Sequence, residues 1–265
     1  MILATNGIIA SQIVSVDPDW LAYYNRVIAA GGSLTTTEQS ATLQLVLDLK
    51  ANSLWTPMKA IYPMVGASAS ACAQNLKSSS FTGTFTSGWT FASTGATSNG
   101  TSAYMNTNLT PSVSLSQNSA SLGCYIGNNL GQQSDKAAMG AYTSSSSQFD
   151  IYPAYTGLGA YVGVNDSNST PVTNSNTSGF FIGSRTSSSQ KIISIRNTQT
   201  TQSSTSNTIT NIVVSVGAIN LSGAFRDFSA YQHRFVFIAD GFTATEITNL
   251  NTAVQAFQTT LSRNV

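Results

Sequence analysis

The stretch Lys136-Ala-Ala-Met-Gly-Ala-Tyr142-Thr-Ser-Ser-Ser-Ser-Gln148-Phe149-Asp150-Ile151-Tyr152-Pro-Ala-Tyr155-Thr-Gly-Leu-Gly-Ala-Tyr161-Val-Gly-Val164 decides the fold class. Its runs Lys136 to Tyr142, Phe149 to Tyr152 and Tyr161 to Val164 are too short for helices, and serine or glycine clusters separate them. Short apolar or alternating runs bounded by such clusters predict β-strands. The pattern continues outward. Before it lie Phe81 to Phe85, Thr90 to Phe91, Ala103 to Met105 and Ser119 to Ile126. After it lie Gly179 to Ser184, Lys191 to Arg196, Ile212 to Ala218 and Tyr231 to Ile238. Strands at this spacing predict a mainly β protein, an antiparallel jelly-roll β-sandwich. The run from Asn197 to Thr208, almost wholly Ser, Thr, Gln and Asn, reads as a long hairpin loop or exposed tip.

The flanks differ. Residues 1–16 follow no helical period and read as an extended N-terminal arm that needs a partner to cover it. Asp17 as N-cap with Pro18 at the first helical position predicts a helix through Trp20, Tyr24, Val27 and Ile28, stopped by Gly31-Gly32. The capping box Thr35-x-x-Glu38 starts a second, carrying Leu43, Val46, Leu47 and Leu54, and Pro57 and Pro63 close the segment. A second box, Thr243-x-x-Glu246, opens a C-terminal amphipathic helix through Ile247, Leu250, Val254, Phe257 and Leu261. That stripe suits docking on its own domain and also a trimer seam. The expected organisation is an arm over 1–16, a helical attachment segment over 17–66, and a jelly roll with its C-terminal helix over 67–265.

Hydrophobic residues make up 41% of the chain, enough for a sizeable core, and charged residues only 8%, against about 25% in an ordinary soluble protein. The net charge of +1 supplies no field for nucleic acid or anionic membranes, so neither is an expected partner. No run approaches the roughly 20 apolar residues of a membrane span. The start Met1-Ile-Leu-Ala-Thr-Asn lacks a basic secretory n-region, which predicts synthesis in a cytoplasm. Cys72 and Cys124 form no metal-type spacing with His233 and read as buried free thiols.

Catalytic chemistry is poorly provided for. A glycosidase needs two carboxylates flanking the scissile bond, yet the β region holds only Asp135, Asp150, Asp166 and Asp227 and no glutamate. A serine hydrolase needs an activating histidine. The single His233 sits in an apparent strand and reads as a sheet-face or interface residue. The expectation is a protein that is not an enzyme. Calcium is the one cofactor to weigh, in the oxygen-rich loop Asn165-Asp166-Ser167-Asn168. One carboxylate would hold it weakly, and the same residues make an ordinary turn. The tyrosine-rich stretch is the candidate glycan-binding platform: Tyr142, Gln148, Asp150, Tyr152 and Tyr155, with Phe149 and Tyr161 beside them. Rings that stack on sugars and amides that bond their edges are what such a surface needs. Half-buried strands are also aromatic for packing alone. Trp89 and Tyr104 are assigned to the core.

The order of several segments resembles phage virion proteins whose main domain is similar to concanavalin A-like and laminin G-like jelly rolls. The resemblance rests on Leu49-Lys50-x-x-x-Leu54-Trp55 running into Ala60-Ile-Tyr-Pro-Met-Val-Gly66, on Asn75-Leu76-Lys77, and on Ser98-Asn-Gly-Thr-Ser-Ala-Tyr104-Met-Asn-Thr107. It continues through Ser119 to Ile126, Phe181-Ile-Gly-Ser-Arg185-Thr186, and Phe237-Ile-Ala-Asp240-Gly-Phe-Thr243 on to Arg263. What it implies is a virion structural protein: a head fibre, capsid decoration or tail component. Its partners would be other virion proteins and copies of itself, a trimer by analogy, with a host surface glycan as a further ligand. The fold does not choose among these roles.

Overall fold

The computed structural model describes residues 16–167 and 170–265. The arm read over residues 1–16 therefore lies, except for Val16, outside the described residues, as does Asn168 of the oxygen-rich loop. In chain order come α1 (Pro18–Ala29), α2 (Thr36–Ala51), β1 (Met58–Tyr62), the single turn α3 (Ala69–Cys72), β2 (Thr84–Phe85), β3 (Trp89–Ala92), β4 (Gly95–Ser98) and β5 (Met105–Asn106). They are followed by the single turn α4 (Pro111–Ser114), β6 (Ala120–Ile126), β7 (Met139–Ser144), β8 (Ser147–Tyr155), β9 (Gly159–Asp166) and β10 (Gly179–Arg185). The chain ends with β11 (Gln190–Ile195), β12 (Thr198–Ser203), β13 (Ser215–Val216), β14 (Ile219–Leu221), β15 (Ala224–Arg226), β16 (Gln232–Ala239) and α5 (Ala244–Thr260).

These strands build the expected sandwich. One sheet runs β12-β11-β10-β6-β16-β4-β3, with β1 also on β16. The other runs β15-β14-β7-β13-β5-β2, with the hairpin β8–β9 attached through β7. Pairing is antiparallel except for β14 on β7. In β16, Val236 and Ile238 face the inter-sheet core while Phe235 and Phe237 face the helices. Successive side chains of a strand point to opposite faces, and a sheet covered on both faces reads as a continuous apolar run. That is why Phe235-Val-Phe-Ile-Ala239 shows no alternation.

The helices form a third layer. Trp20, Tyr23 and Val27 of α1, Leu45, Val46 and Leu49 of α2, and Ile247, Leu250, Val254 and Phe257 of α5 share one apolar cluster with Phe180, Phe235 and Phe237. The α5 stripe is thus spent on its own chain. Ile28 and Leu47, expected inside, stay 47% and 42% exposed. The caps form as read. Asp17 accepts from the backbone of Asp19 and Trp20, and the Thr35/Glu38 and Thr243/Glu246 boxes both close. Lys50 near the end of α2 bridges Asp17 and Asp19 at 2.7 and 2.6 Å. Residues 17–66 are tied into the sandwich as well: β1 pairs with β16, and Glu38 accepts from the Gly66 backbone at 2.8 Å. Cys72 and Cys124 are buried and free.

The segment Asn197 to Thr208 is not a long loop. Thr198–Ser203 is strand β12, joined to β11 by the two-residue turn Arg196-Asn197 with φ of 49° and 66°. Positive φ at both central positions is the hairpin turn that follows strand twist. An edge strand needs no apolar face, and a polar one resists pairing with other chains. Trp89 and Tyr104 are half-buried rather than core. Trp89 packs on Phe85, Phe91 and His233, and Tyr104 stacks on Phe225 at 3.7 Å.

Candidate functional site

The β8–β9 hairpin carries the tyrosine stretch. Phe149 and Ile151 point into the inter-sheet core, so Gln148, Asp150 and Tyr152 alternate onto the opposite face. Tyr152 stands across from Tyr161, and a bulge then advances the register so that Tyr155 opposes Gly159. Bulges re-aim side chains, and this one gathers three tyrosines. The Tyr155 ring lies 6.4 Å from Tyr152 and 5.9 Å from Tyr161, edge to face in both cases. With Gln148, Asp135 and the exposed Leu158 they line an open groove of about 330 Å³.

Three of the five expected platform residues, Gln148, Tyr152 and Tyr155, therefore meet in one groove. Asp150 does not reach it. It is 1% exposed, held in register between Gly140 and Gly163, and accepts from the Gly163 backbone at 3.1 Å. Tyr142 pairs across from Gln148 but does not line the groove. Phe149 belongs to the core. Sequence reading missed Asp135 and Asp227, which come from segments outside the hairpin. Tyr155 Oη donates to Asp135 and Tyr152 Oη donates to Asp227, both at 2.7 Å.

Those bonds set the groove's chemistry. Gln148 donates both amide hydrogens, to Ser145 O and Ser167 O, so it can offer a ligand only its Oε1. Tyr152 and Tyr155 have likewise spent their hydroxyl hydrogens. Burial raises the Tyr152 phenol pKa, with the nearby aspartates adding to it, and the bond to Asp135 raises that of Tyr155. Both phenols stay neutral. The groove presents aromatic rings and the acceptor oxygens of Gln148, Asp135 and the two phenols.

The oxygen-rich loop behaves differently from a calcium loop. Asp166 is 1% exposed, and its Oδ2 takes Arg185 Nη2 and Lys191 Nζ, each at 2.9 Å. Two cations stand where a metal would have to bind, and burial lowers the pKa of both. Arg185 adds bonds from Nε to Val164 O and from Nη1 to Ser204 O, and Lys191 Nζ donates to Val162 O. Arg185 and Lys191, which look scattered in sequence, are a buried ionic tie between the sheets. No group of three or more potential metal-ligating His, Cys, Asp or Glu side chains occurs among the described residues.

His233 is a sheet-face residue of β16, as read, on a face packed inside the protein. It is fully buried 5.9 Å from the Trp89 ring, and neither ring nitrogen has a hydrogen-bond partner. Burial pushes its pKa down to about 3, so it is a neutral packing group at physiological pH.

No family model and no curated protein sequence matches the chain. Among solved structures it is similar to domain 4 of AbnA, a GH43 extracellular arabinanase from Geobacillus stearothermophilus, in complex with arabinotriose. The likeness covers 73% of this chain and 98% of that one, at 11% identity and a TM-score of 0.47. It is also similar to the NanB sialidase from Streptococcus pneumoniae over 51% of this chain and 24% of that one, at 12% identity and a TM-score of 0.35.

Proposed function

We propose that the protein is a non-enzymatic component of a phage-like virion whose β-sandwich binds a neutral, hydroxyl-rich glycan in the Tyr152–Tyr155–Tyr161 groove. One observation carries the binding half: three tyrosine rings converge where Gln148, Tyr152 and Tyr155 have already given away their hydrogens. A sugar satisfies both demands, because its apolar faces stack on rings and its hydroxyls donate. The acids also support binding over turnover. Asp135 and Asp227 each hold a tyrosine, Asp166 is tied to two cations, and Asp150 is buried.

The virion half rests on the ordered segments that resemble phage structural proteins. The first two helices add support, since Leu21 and Ile28 of α1 and Leu47 of α2 are 43%, 47% and 42% exposed. Exposed apolar residues on one layer suit a contact with another virion protein. The protein would then be anchored through its helices, with the sandwich displayed.

The deciding experiment is an array of neutral and charged glycans probed with the full chain and with Tyr155→Ala. Binding by the parent and loss in the variant are expected. A parent that binds no glycan, or a variant that binds as well as the parent, would remove the groove from the function.

A further inference from the structure

The tyrosine groove does not end at Tyr155. Leu158, 51% exposed at the tip of the β8–β9 hairpin, walls it on one side and also walls a second depression of about 460 Å³ on the other. That second depression is lined by Gln132, Asn174, Asn176 and Arg196 among others. Each volume falls within the ordinary range of a small-molecule site.

Polarity changes sign across Leu158. Gln132 Oε1 accepts from the Gly157 backbone at 3.2 Å, which leaves its amide hydrogens as donors. Arg196 gives Nη1 to Asn176 O and Ser178 O, and one Nη2 hydrogen to Asn174 Oδ1 at 2.6 Å. A guanidinium carries five N–H donors, so its Nε–H and one Nη2–H remain to offer. The walls are held in place before any ligand arrives. Asn174 Nδ2 donates to Pro153 O of β8 at 2.6 Å, and Ala160 bridges Val172. Preorganised walls reduce the ordering cost of binding.

We infer that the two depressions are one cleft, and that it takes an extended, uncharged polysaccharide lying across Leu158, with one subsite against the tyrosines and another against Gln132 and Arg196. This rests on the glycan reading above. A uniformly anionic polymer meets Asp135 at one end, and a uniformly cationic one meets Arg196 at the other. A neutral sugar chain brings hydroxyl donors to the first subsite and ring and hydroxyl oxygens as acceptors to the second.

Isothermal titration of the full chain with malto-, cello- and xylo-oligosaccharide ladders from two to six units, and with an oligogalacturonate ladder, tests this. The expected result is affinity for a neutral ladder that rises about tenfold from two to five units, equivalent to about 1.4 kcal/mol. Gln132→Ala and Arg196→Ala, which touch the second depression and not the tyrosine groove, should abolish the gain with length and leave disaccharide affinity unchanged. Gln132 is exposed, so its variant reads the cleft without threatening the fold. Equal affinity at every length, or variants that weaken short and long ligands alike, overturns the extended cleft and leaves the tyrosine groove standing. A preference for oligogalacturonate overturns the uncharged ligand. Failure of every ladder to bind removes the glycan reading itself.

Discussion

Arg185 Nη2 lies 2.9 Å from Asp166 Oδ2 with the two side chains 0% and 1% exposed, and Lys191 Nζ reaches the same oxygen at the same distance. One carboxylate thus holds two cations inside the sandwich. Removing it strands both of them away from water, and breaking a buried pair costs about 3–5 kcal/mol. Asp166→Ala is expected to lose that much in urea denaturation. Lys191→Met should lose less, because the Arg185–Asp166 pair stays matched. Equal stability of Asp166→Ala and the parent would show that the tie contributes nothing.

Gly123 and Phe237 are register partners on β6 and β16, and the phenyl ring covers the glycine. A Cβ on Gly123 would come within 2.3 Å of Phe237 Cε1 and 2.8 Å of Phe181 O. Overpacking of this kind costs about 1–3 kcal/mol. Gly123→Ala should therefore lower the midpoint of thermal unfolding by several degrees. Phe237→Ala should cost about 3–5 kcal/mol through the cavity it opens under the helices. An unchanged midpoint in Gly123→Ala would mean that the ring moves aside freely.

His233 gives the fold an acid limit. Its pKa falls from 6.5 to about 3 on burial, so between those values the unfolded chain binds a proton that the folded chain refuses. Stability then rises with pH across that window and is lost as pH falls through it, by up to roughly 1.4 kcal/mol per pH unit from this group. His233→Leu removes the titrating ring and its two unpartnered nitrogens. The variant should show a flatter loss of stability between pH 6.5 and pH 4 than the parent, measured by denaturation at each pH. Parallel pH profiles for the two proteins would rule out His233 as the source.

The sandwich was legible because its strands obey local rules: short apolar runs, serine and glycine breaks, and helix caps that each name their own partner. What stayed hidden depended on distance. Strand β12 has no apolar residue to announce it, and only the ladder from β11 makes it a strand. In β1, Met58–Tyr62 reads as a connector between prolines until β16 pairs with it. The site divides in the same way. Gln148, Tyr152 and Tyr155 lie on one hairpin and group together in sequence, whereas Asp135 and Asp227 reach Tyr155 and Tyr152 through tertiary bonds that no spacing encodes. Asp150 misled for the opposite reason. Its alternation is right for the outer face, but its place between Gly140 and Gly163 buries it.

The two aspartates that hold the groove tyrosines allow the non-enzymatic reading to be tested directly. Asp227 and Asp135 accept hydrogen bonds from Tyr152 and Tyr155, and an asparagine can still accept through its amide oxygen. If the carboxylates only orient the rings, Asp227→Asn and Asp135→Asn should keep glycan affinity within about threefold, less than 1 kcal/mol. Neither these variants nor the parent should release reducing ends from a bound oligosaccharide on prolonged incubation. Alkaline spectrophotometric titration should at the same time find the Tyr152 and Tyr155 phenols ionising above the usual tyrosine value of 10, and Asp135→Asn should bring Tyr155 back toward it. Steady release of product by the parent, abolished in Asp227→Asn or Asp135→Asn with binding intact, would make the pair an acid and base and the protein an enzyme. Loss of binding in Asp227→Asn with no turnover in the parent would instead give the carboxylate a direct bond to the sugar.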